Sequence, residues 1–281
     1  KLKPECIACF LKQTVNALRL VSLSEKIIEE AQREVMKYLI SADWNVSPPE
    51  IDYGVQAIIR KYAGTDPYAE VKRKSNDEAL RLYGKCKELI WSSEDPLRTA
   101  VKIAIAGNVI DYGPYTSYDI EGAVSRLLSS DLGIDDYELF REKFSQASSL
   151  LYFSDNSGEI VFDKLLIETM LKMKDLKITF VVKGGPMIND ATEEDFNYVS
   201  FSEIPEIELR KVSNGEPGTG PDRKSDEVRN WIEEHDLVLA KGQGNYEILE
   251  FRGIFHMLVV KCPVVASDLS LNQGDAVLMY K

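Results

Sequence analysis

Apolar residues keep a helical period through the first half of the chain and gather in short blocks through the second, with the change near residue 149. Ile27, Ile28, Ala31, Val35, Met36 and Leu39 hold helical spacing behind Ser22 and Glu25, a pair that fits a capping box. Three further helices are announced by a capping residue followed by proline at the first helical position: Ser47-Pro48, Asp66-Pro67 and Asp95-Pro96. The stretch from Asp66 to Trp91 is strongly charged and predicts one long helix with a solvated outer face. By contrast, Leu97, Ala100, Val101, Ile103, Ala104, Ile105 and Ala106 are apolar nearly all round, which predicts a central, buried helix. It runs into polar groups, Asn108 and Asp111, within the segment 107–113, and two more helices are predicted near 117–128 and 135–147.

From residue 150 the texture becomes alternating strands and helices. Strands rich in Val, Ile and Leu are predicted at 150–153, 177–182, 207–212, 236–240 and 257–260, separated by helical patterns around 158–173, 222–234 and 246–251. This is the βα alternation of a largely parallel sheet. Residues 276–280 predict a terminal strand pairing antiparallel at one edge, and 214–221, rich in glycine and proline, predict a loop that could form a rim or lid. The fold class expected is α/β: a Rossmann-like, largely parallel sheet with an N-terminal all-helical portion. The boundary is expected between a helical domain, 1–148, and an α/β domain, 149–281, that carries the site.

Candidate chemistry collects where apolar runs end. Ser154-Asp155-Asn156-Ser157-Gly158-Glu159 is a strand-to-helix turn, and in an open α/β sheet such turns lie at the carboxyl edge, where ligands bind. The segments 183–190 and 241–247 end strands in the same way, so a common edge would gather Asp155, Asn156 and Asp190 as hard oxygen ligands with Lys183 and Lys241 as local cations. Glycine backbone amides lie around them. A cation, a lysine and backbone N–H groups are what a phosphoryl group needs for charge neutralisation. Each piece also has a plain structural reading. Asp155-Asn156 fits an Asx turn, Asp190-Ala191-Thr192 a helix N-cap, Lys241 a solvated strand end, and Asn108 and Asp111 a helix terminus.

Composition narrows the partners. A formal charge of -12 argues against an extended phosphate-backbone surface, so no nucleic acid is expected, while a few local cations still permit a small anionic substrate. No apolar run reaches the length of a membrane span, and nothing signal-like follows Lys1 to Glu5; a cytoplasmic protein is expected, its oligomeric state unreadable. Four cysteines make no disulfide framework, although Cys6 and Cys9 form one CxxC, spaced either to share a metal or simply to pack. His235 and His256 lie away from every polar loop singled out, which disfavours a histidine-based triad.

Taken in order, Cys6-Ile-Ala-Cys9, Ala106-Gly107-Asn108-Val109-Ile110-Asp111, Ser154 to Glu159, Lys183-Gly184-Gly185-Pro186 with Asn189-Asp190-Ala191-Thr192, and Lys241-Gly242-Gln243-Gly244-Asn245 resemble the damage-control phosphatases. The CxxC is similar to the archaeal and bacterial branch of that family. The resemblance implies a divalent cation, Mg²⁺, Mn²⁺, Co²⁺ or Ni²⁺, at Asp155, Asn156 and Asp190, and hydrolysis of small phosphomonoesters such as sugar phosphates or damaged phosphometabolites. It implies a phosphate-side role for Lys241 and pocket-lining roles for Asn108 and Glu159, with Lys183 and Asn245 as further matches. The expected catalytic groups are therefore Asp155 and Lys241. The expected substrate-binding groups are Asn108, Ser157, Gly158, Glu159, Lys183, Lys241, Gly242 and Asn245. Asp155 has two open roles, direct attack on phosphorus or ligation while water attacks. The alternative activity is S-adenosylmethionine-dependent carboxyl methyl transfer, against which the first βα turn lacks a G-x-G-x-x-G fingerprint. A third reading is a non-enzymatic metabolite-binding protein that uses Cys6 and Cys9 for metal.

Overall fold

The computed structural model describes residues 1–108 and 120–281. α1 (Pro4–Leu20), α2 (Glu25–Ser41) and α3 (Pro48–Ala63) pack on one another around Ala17, Leu18, Ile28, Ala31, Val35, Leu39, Ile51, Val55 and Ile59. The residue that caps α2 is Ser24, not Ser22. Ser22 sits at φ 55° and belongs to the end of α1, where its N–H bonds the Arg19 carbonyl and the Leu23 N–H bonds that of Leu18. The start of α3 is as the sequence predicts, with Pro48 following Ser47 and the Glu50 carboxylate accepting from the Ser47 N–H at 2.8 Å.

α4 (Ala69–Ser92) is the long charged helix, and α5 (Pro96–Gly107) is the buried one, opened by Asp95, whose carboxylate accepts from the Arg98 N–H at 2.9 Å. The expectations placed on Asp111 and on the rest of the segment to Gly113 lie outside the described residues. Then follow α6 (Ile120–Ser129), β1 (Ile134–Asp135), α7 (Tyr137–Gln146), β2 (Ser149–Phe153), α8 (Glu159–Met173), β3 (Lys177–Lys183) and α9 (Glu193–Tyr198). The chain continues through β4 (Ile207–Val212), α10 (Asp226–Glu234), β5 (Leu237–Lys241), α11 (Gln243–Ile248), β6 (Phe255–Val259), α12 (Pro263–Leu269) and β7 (Ala276–Tyr280).

The strands form one sheet in the order β1-β7-β6-β5-β2-β3-β4, parallel throughout except for the antiparallel pair β6 and β7. β7 does run antiparallel, but it is not an edge: β1 pairs parallel on its far side. β1, α9 and α12 are too short to show a period in the sequence. α9 is opened by Thr192, whose N–H is accepted by the Asp195 carboxylate at 2.9 Å, so the helix cap expected near Asp190 is supplied two residues later.

Helices cover both faces of the sheet, which is why its central strands β2, β5 and β6 read as nearly unbroken apolar runs, while the edge strand β4 carries charges. Alternate residues of β2 feed two cores. Leu150 and Tyr152 join Ile178, Phe180, Leu237 and Leu239 beneath α5 and α8. Leu151 and Phe153 join Val181, Val238 and Ala240 beneath Trp231, Ile232 and Ile248. Among the described residues no helix is long and apolar enough to cross a membrane.

Candidate active site

From β2 the chain steps outward to β3 and β4, then returns to β5 on the opposite side of β2. The crevice at the carboxyl ends of β2 and β5 is therefore a topological switch point, where open α/β sheets bind their ligands. The loops after β2 and β3 are locked together there. The Ala191 N–H bonds the Asp155 carbonyl at 2.8 Å, the Ser157 N–H bonds the Asn189 carbonyl at 2.9 Å, and Asn156 and Asp190 form an antiparallel bridge. Asp155, Asn156 and Asp190, predicted from separate motifs, are brought together by this pairing.

The helical first half also holds the site. Gly158, at φ 77°, lies so close to Ser75 of α4 that a side chain there would meet it, and its N–H donates to Asn76 Oδ1 at 2.6 Å. The other end of the Asn76 amide donates to Asp195 at 2.8 Å, so one residue of α4 ties the starts of α8 and α9. The amides of Ser157 and Gly158, expected to receive a phosphate, are thus already committed within the fold. From α3, Arg60 donates to the Pro186 carbonyl at 2.8 Å and pairs with Glu216, and Glu50 pairs with Lys224 at 2.9 Å. The loops after β3 and β4 are clamped from above.

Lys241 is fully buried beneath the crevice. Its ammonium donates to the Ala104 carbonyl at 2.8 Å, to Asp163 at 2.6 Å and to Glu159 at 2.7 Å, which uses all three of its hydrogens. Burial works against its charge, yet the Asp163 and Glu159 carboxylates hold its pKa above the ordinary lysine range. In this arrangement Lys241 has no hydrogen left for a substrate. Burial raises Asp163 to about 6 against the pull of Lys241, and the Tyr152 hydroxyl donates to it at 2.6 Å. Glu159 in turn accepts from the side-chain amides of Asn108 at 2.9 Å and Asn156 at 3.1 Å. Those two amides also hold Asp155 Oδ2, at 2.9 and 2.8 Å. Asn108 completes its set by accepting from the Val259 N–H at 3.0 Å. Asp155 is thus fixed by amides that a buried salt-bridge layer orients.

Burial pushes Asp155 up to about 8, with the neighbouring charges of Glu159 and Asp190 adding to it. Asp190 is also raised by burial, against Lys183 and Arg223. Lys183 is the cation on the crevice side: its Nζ lies 3.7 Å from Asp190 and has no hydrogen-bond partner, and burial, then Arg223, lowers it to about 7. Asn245 donates to the Ser154 and Lys241 carbonyls at 3.0 and 2.8 Å and accepts from Arg223 at 2.7 Å, so it braces the loops.

Gly242 sits at φ 81°, and a Cβ there would overlap the Asp155 carboxylate. Gly242→Ala is expected to cost about 1–3 kcal/mol in urea unfolding from the strained backbone and to lower turnover by displacing Asp155. Wild-type stability and rate in this variant would show the contact to be unimportant.

Sequence reasoning missed Asp163, Asn76, Tyr53 and Arg223. Only Asp163 left a signal, standing four residues after Glu159 between the apolar residues Ile160, Val161, Phe162, Leu165 and Leu166. Cys6 and Cys9 lie in α1, Cys6 half-buried with burial raising its thiol pKa and Cys9 exposed. Among the described residues no group of three or more His, Cys, Asp or Glu side chains is placed to hold a metal by itself. The donors at the crevice are two carboxylates and the Asn156 amide.

Acids, amides and cations meet at the switch point of a largely parallel sheet, the place where α/β enzymes bind their ligands. Residues 2–277 match the damage-control phosphatase ARMT1-like domain, and the chain belongs to that family. It is a phosphatase. It is 34% identical to a damage-control phosphatase of Archaeoglobus fulgidus over 99% of this chain and 98% of the relative, and 31% identical to one of Pyrococcus horikoshii over 99% and 98%. A segment covering 45% of the chain is 30% identical to part of the mouse 4'-phosphopantetheine phosphatase, 17% of that protein. The crystal structure of a DUF89 family protein from Pyrococcus horikoshii superposes with a TM-score of 0.86 at 31% identity, covering 100% of this chain and 99% of the other.

Proposed function

We propose that this phosphatase is metal-dependent and hydrolyses small phosphomonoesters, sugar phosphates or damaged phosphometabolites, with a divalent cation held by Asp155, Asn156 and Asp190. The observation that carries the reading is the pairing of the two loops that sets both carboxylates and the amide at the switch point beside Lys183. The donor set fits the ion: two carboxylates and an amide are hard oxygen ligands suited to Mg²⁺ or Mn²⁺, with coordination positions left for water and substrate. A bound divalent cation supplies polarisation of a phosphoryl oxygen and neutralises developing charge.

The chain's own residues do the rest. Lys183, with its hydrogens unpaired, is the phosphate-side lysine in this reading, and Lys241 is a positioning residue acting through Glu159 on the Asn108 and Asn156 amides. Asp155 is held in one orientation by those amides on its Oδ2, which leaves Oδ1 for the cation without a search for the right rotamer. The similarity to a 4'-phosphopantetheine phosphatase favours a metabolite-sized monoester.

The test is phosphate release from a panel of sugar phosphates and p-nitrophenyl phosphate. Metal-stripped protein is expected to be inactive, and Mg²⁺, Mn²⁺, Co²⁺ or Ni²⁺ to restore turnover. Full turnover in the stripped protein would remove the metal from the reading; no turnover with any metal would remove the monoester class.

A further inference from the structure

The loop after β4, residues 213–225, carries a cation that the monoesterase reading above does not use. Arg223 is 4% exposed. Its Nη1 donates to Asn245 Oδ1 at 2.7 Å and its Nη2 to the Tyr53 hydroxyl at 3.3 Å, while its Nε is buried with no partner. Lys183 Nζ is likewise buried with no hydrogen bond, its ion-pair contact to Asp190 being 3.7 Å long, and it lies 5.8 Å from the centroid of the same Tyr53 ring. One tyrosine therefore holds the arginine through its oxygen and faces the lysine with its ring.

Asp190 offsets part of the charge of these two cations, but the Lys183 ammonium and the Arg223 Nε–H keep no hydrogen bond, which is costly in a buried space unless an acceptor anion meets them. A structural role would explain the two bonded nitrogens of Arg223 and leave the third idle. The guanidinium fork suits a tetrahedral oxyanion, because its hydrogens lie in one plane and can reach two oxygens at once. Charge gives the class of ligand. With the proposed divalent cation offset by Asp155 and Asp190, Lys183 and Arg223 are the two cations that face the ligand side, a pairing that suits a monoester dianion better than the single charge of a diester.

We infer that Arg223 is a second phosphate-binding residue, joining Lys183 to receive the dianionic head of a phosphomonoester, with Tyr53 and Asn245 as the positioning residues that aim its fork. The inference rests on the monoesterase reading, and the experiment separates the two.

Wild type, Arg223→Ala, Arg223→Lys and Tyr53→Phe are compared, all loaded with Mn²⁺. Inorganic phosphate binding is measured by calorimetry and p-nitrophenyl phosphate hydrolysis by steady-state kinetics. Arg223→Ala is expected to weaken phosphate binding and raise KM by about 10- to 100-fold, the size of a lost charged hydrogen bond. Millimolar guanidinium ion is expected to restore part of both, and Arg223→Lys to fall between. Phosphate affinity within twofold of wild type in a folded Arg223→Ala overturns the inference. Where Arg223→Ala does not fold, Arg223→Lys and Tyr53→Phe decide: weaker phosphate binding in either supports it, and unchanged binding in both overturns it. A wild type that neither hydrolyses the ester nor binds phosphate overturns the monoesterase reading and this inference with it. An active wild type beside an unaffected Arg223→Ala removes only the role of Arg223.

Discussion

Asp155→Ala is expected to lower metal-dependent phosphate release by about a thousandfold or more, because the proposed function routes several kcal/mol of charge stabilisation through this carboxylate. The same substitution is expected to leave the metal-free protein at least as stable as wild type. Asp155 is half-buried, and desolvation with the charges of Glu159 and Asp190 pushes it up to about 8. An acid whose folded pKa is raised lowers stability progressively as pH climbs from its unfolded value, near 4, to its folded one. The gain in melting temperature from removing it should accordingly be larger at pH 8 than at pH 5. Turnover and thermal melts on the same preparations check both halves. Wild-type turnover would remove Asp155 from the site, and a large loss of stability at pH 8 would make it a structural acid. A cost to the fold at the position where the chemistry needs a charge is the usual trade between stability and activity.

Lys241→Met is expected to act the other way, costing about 3–5 kcal/mol in urea unfolding. Its ammonium meets Glu159, Asp163 and the Ala104 carbonyl where none of the three side chains has any exposure. Removing it leaves two buried carboxylates with no counter-charge. Asp163 would keep only the Tyr152 hydroxyl, and Glu159 only the two asparagine amides. A second substitution, Asp163→Asn, should recover part of the loss, since the pair is coupled through one contact. If Lys241→Met unfolded like wild type and lost only turnover, the lysine would belong on the phosphate after all, as its motif suggests.

That contrast shows what the sequence could convey. The carboxyl-edge loops were legible because each follows a run such as Leu150 to Phe153 or Ile178 to Val182, and a parallel sheet sends such loops to one edge. Asp155, Asn156 and Asp190 could be grouped on that argument alone. What a lysine at a strand end points toward is another matter. Lys183 and Lys241 both close a buried strand, but one faces the crevice and the other an acidic pair on α8, and a motif does not record which. The pair was visible in outline, since Glu159 and Asp163 fall one turn apart among the buried apolar residues of α8, and buried acids require a cation. Arg223 gave no comparable sign, standing in a segment whose glycines and prolines announce only a turn. Ser22 was misjudged because a serine three residues before a glutamate fits a helix start, while the end of α1 competes for the same residue.

The bundle of α1, α2 and α3 closes its own core around Ile28, Val35, Val55 and Ile59, while the opposite side of α3 presents Glu50, Tyr53 and Arg60 to the loops of the crevice. Positions that keep the bundle folded are thus separate from positions that touch what lies below it. Across a lineage, exchanges at Glu50 and Arg60 would shift the loops after β3 and β4, and so substrate choice, while the interior of the bundle, Tyr53 and the acids after β2 and β3 stay as they are. Diversity among such enzymes is then expected to accumulate at the loop-clamping ends of one helix, with its middle turn held fixed.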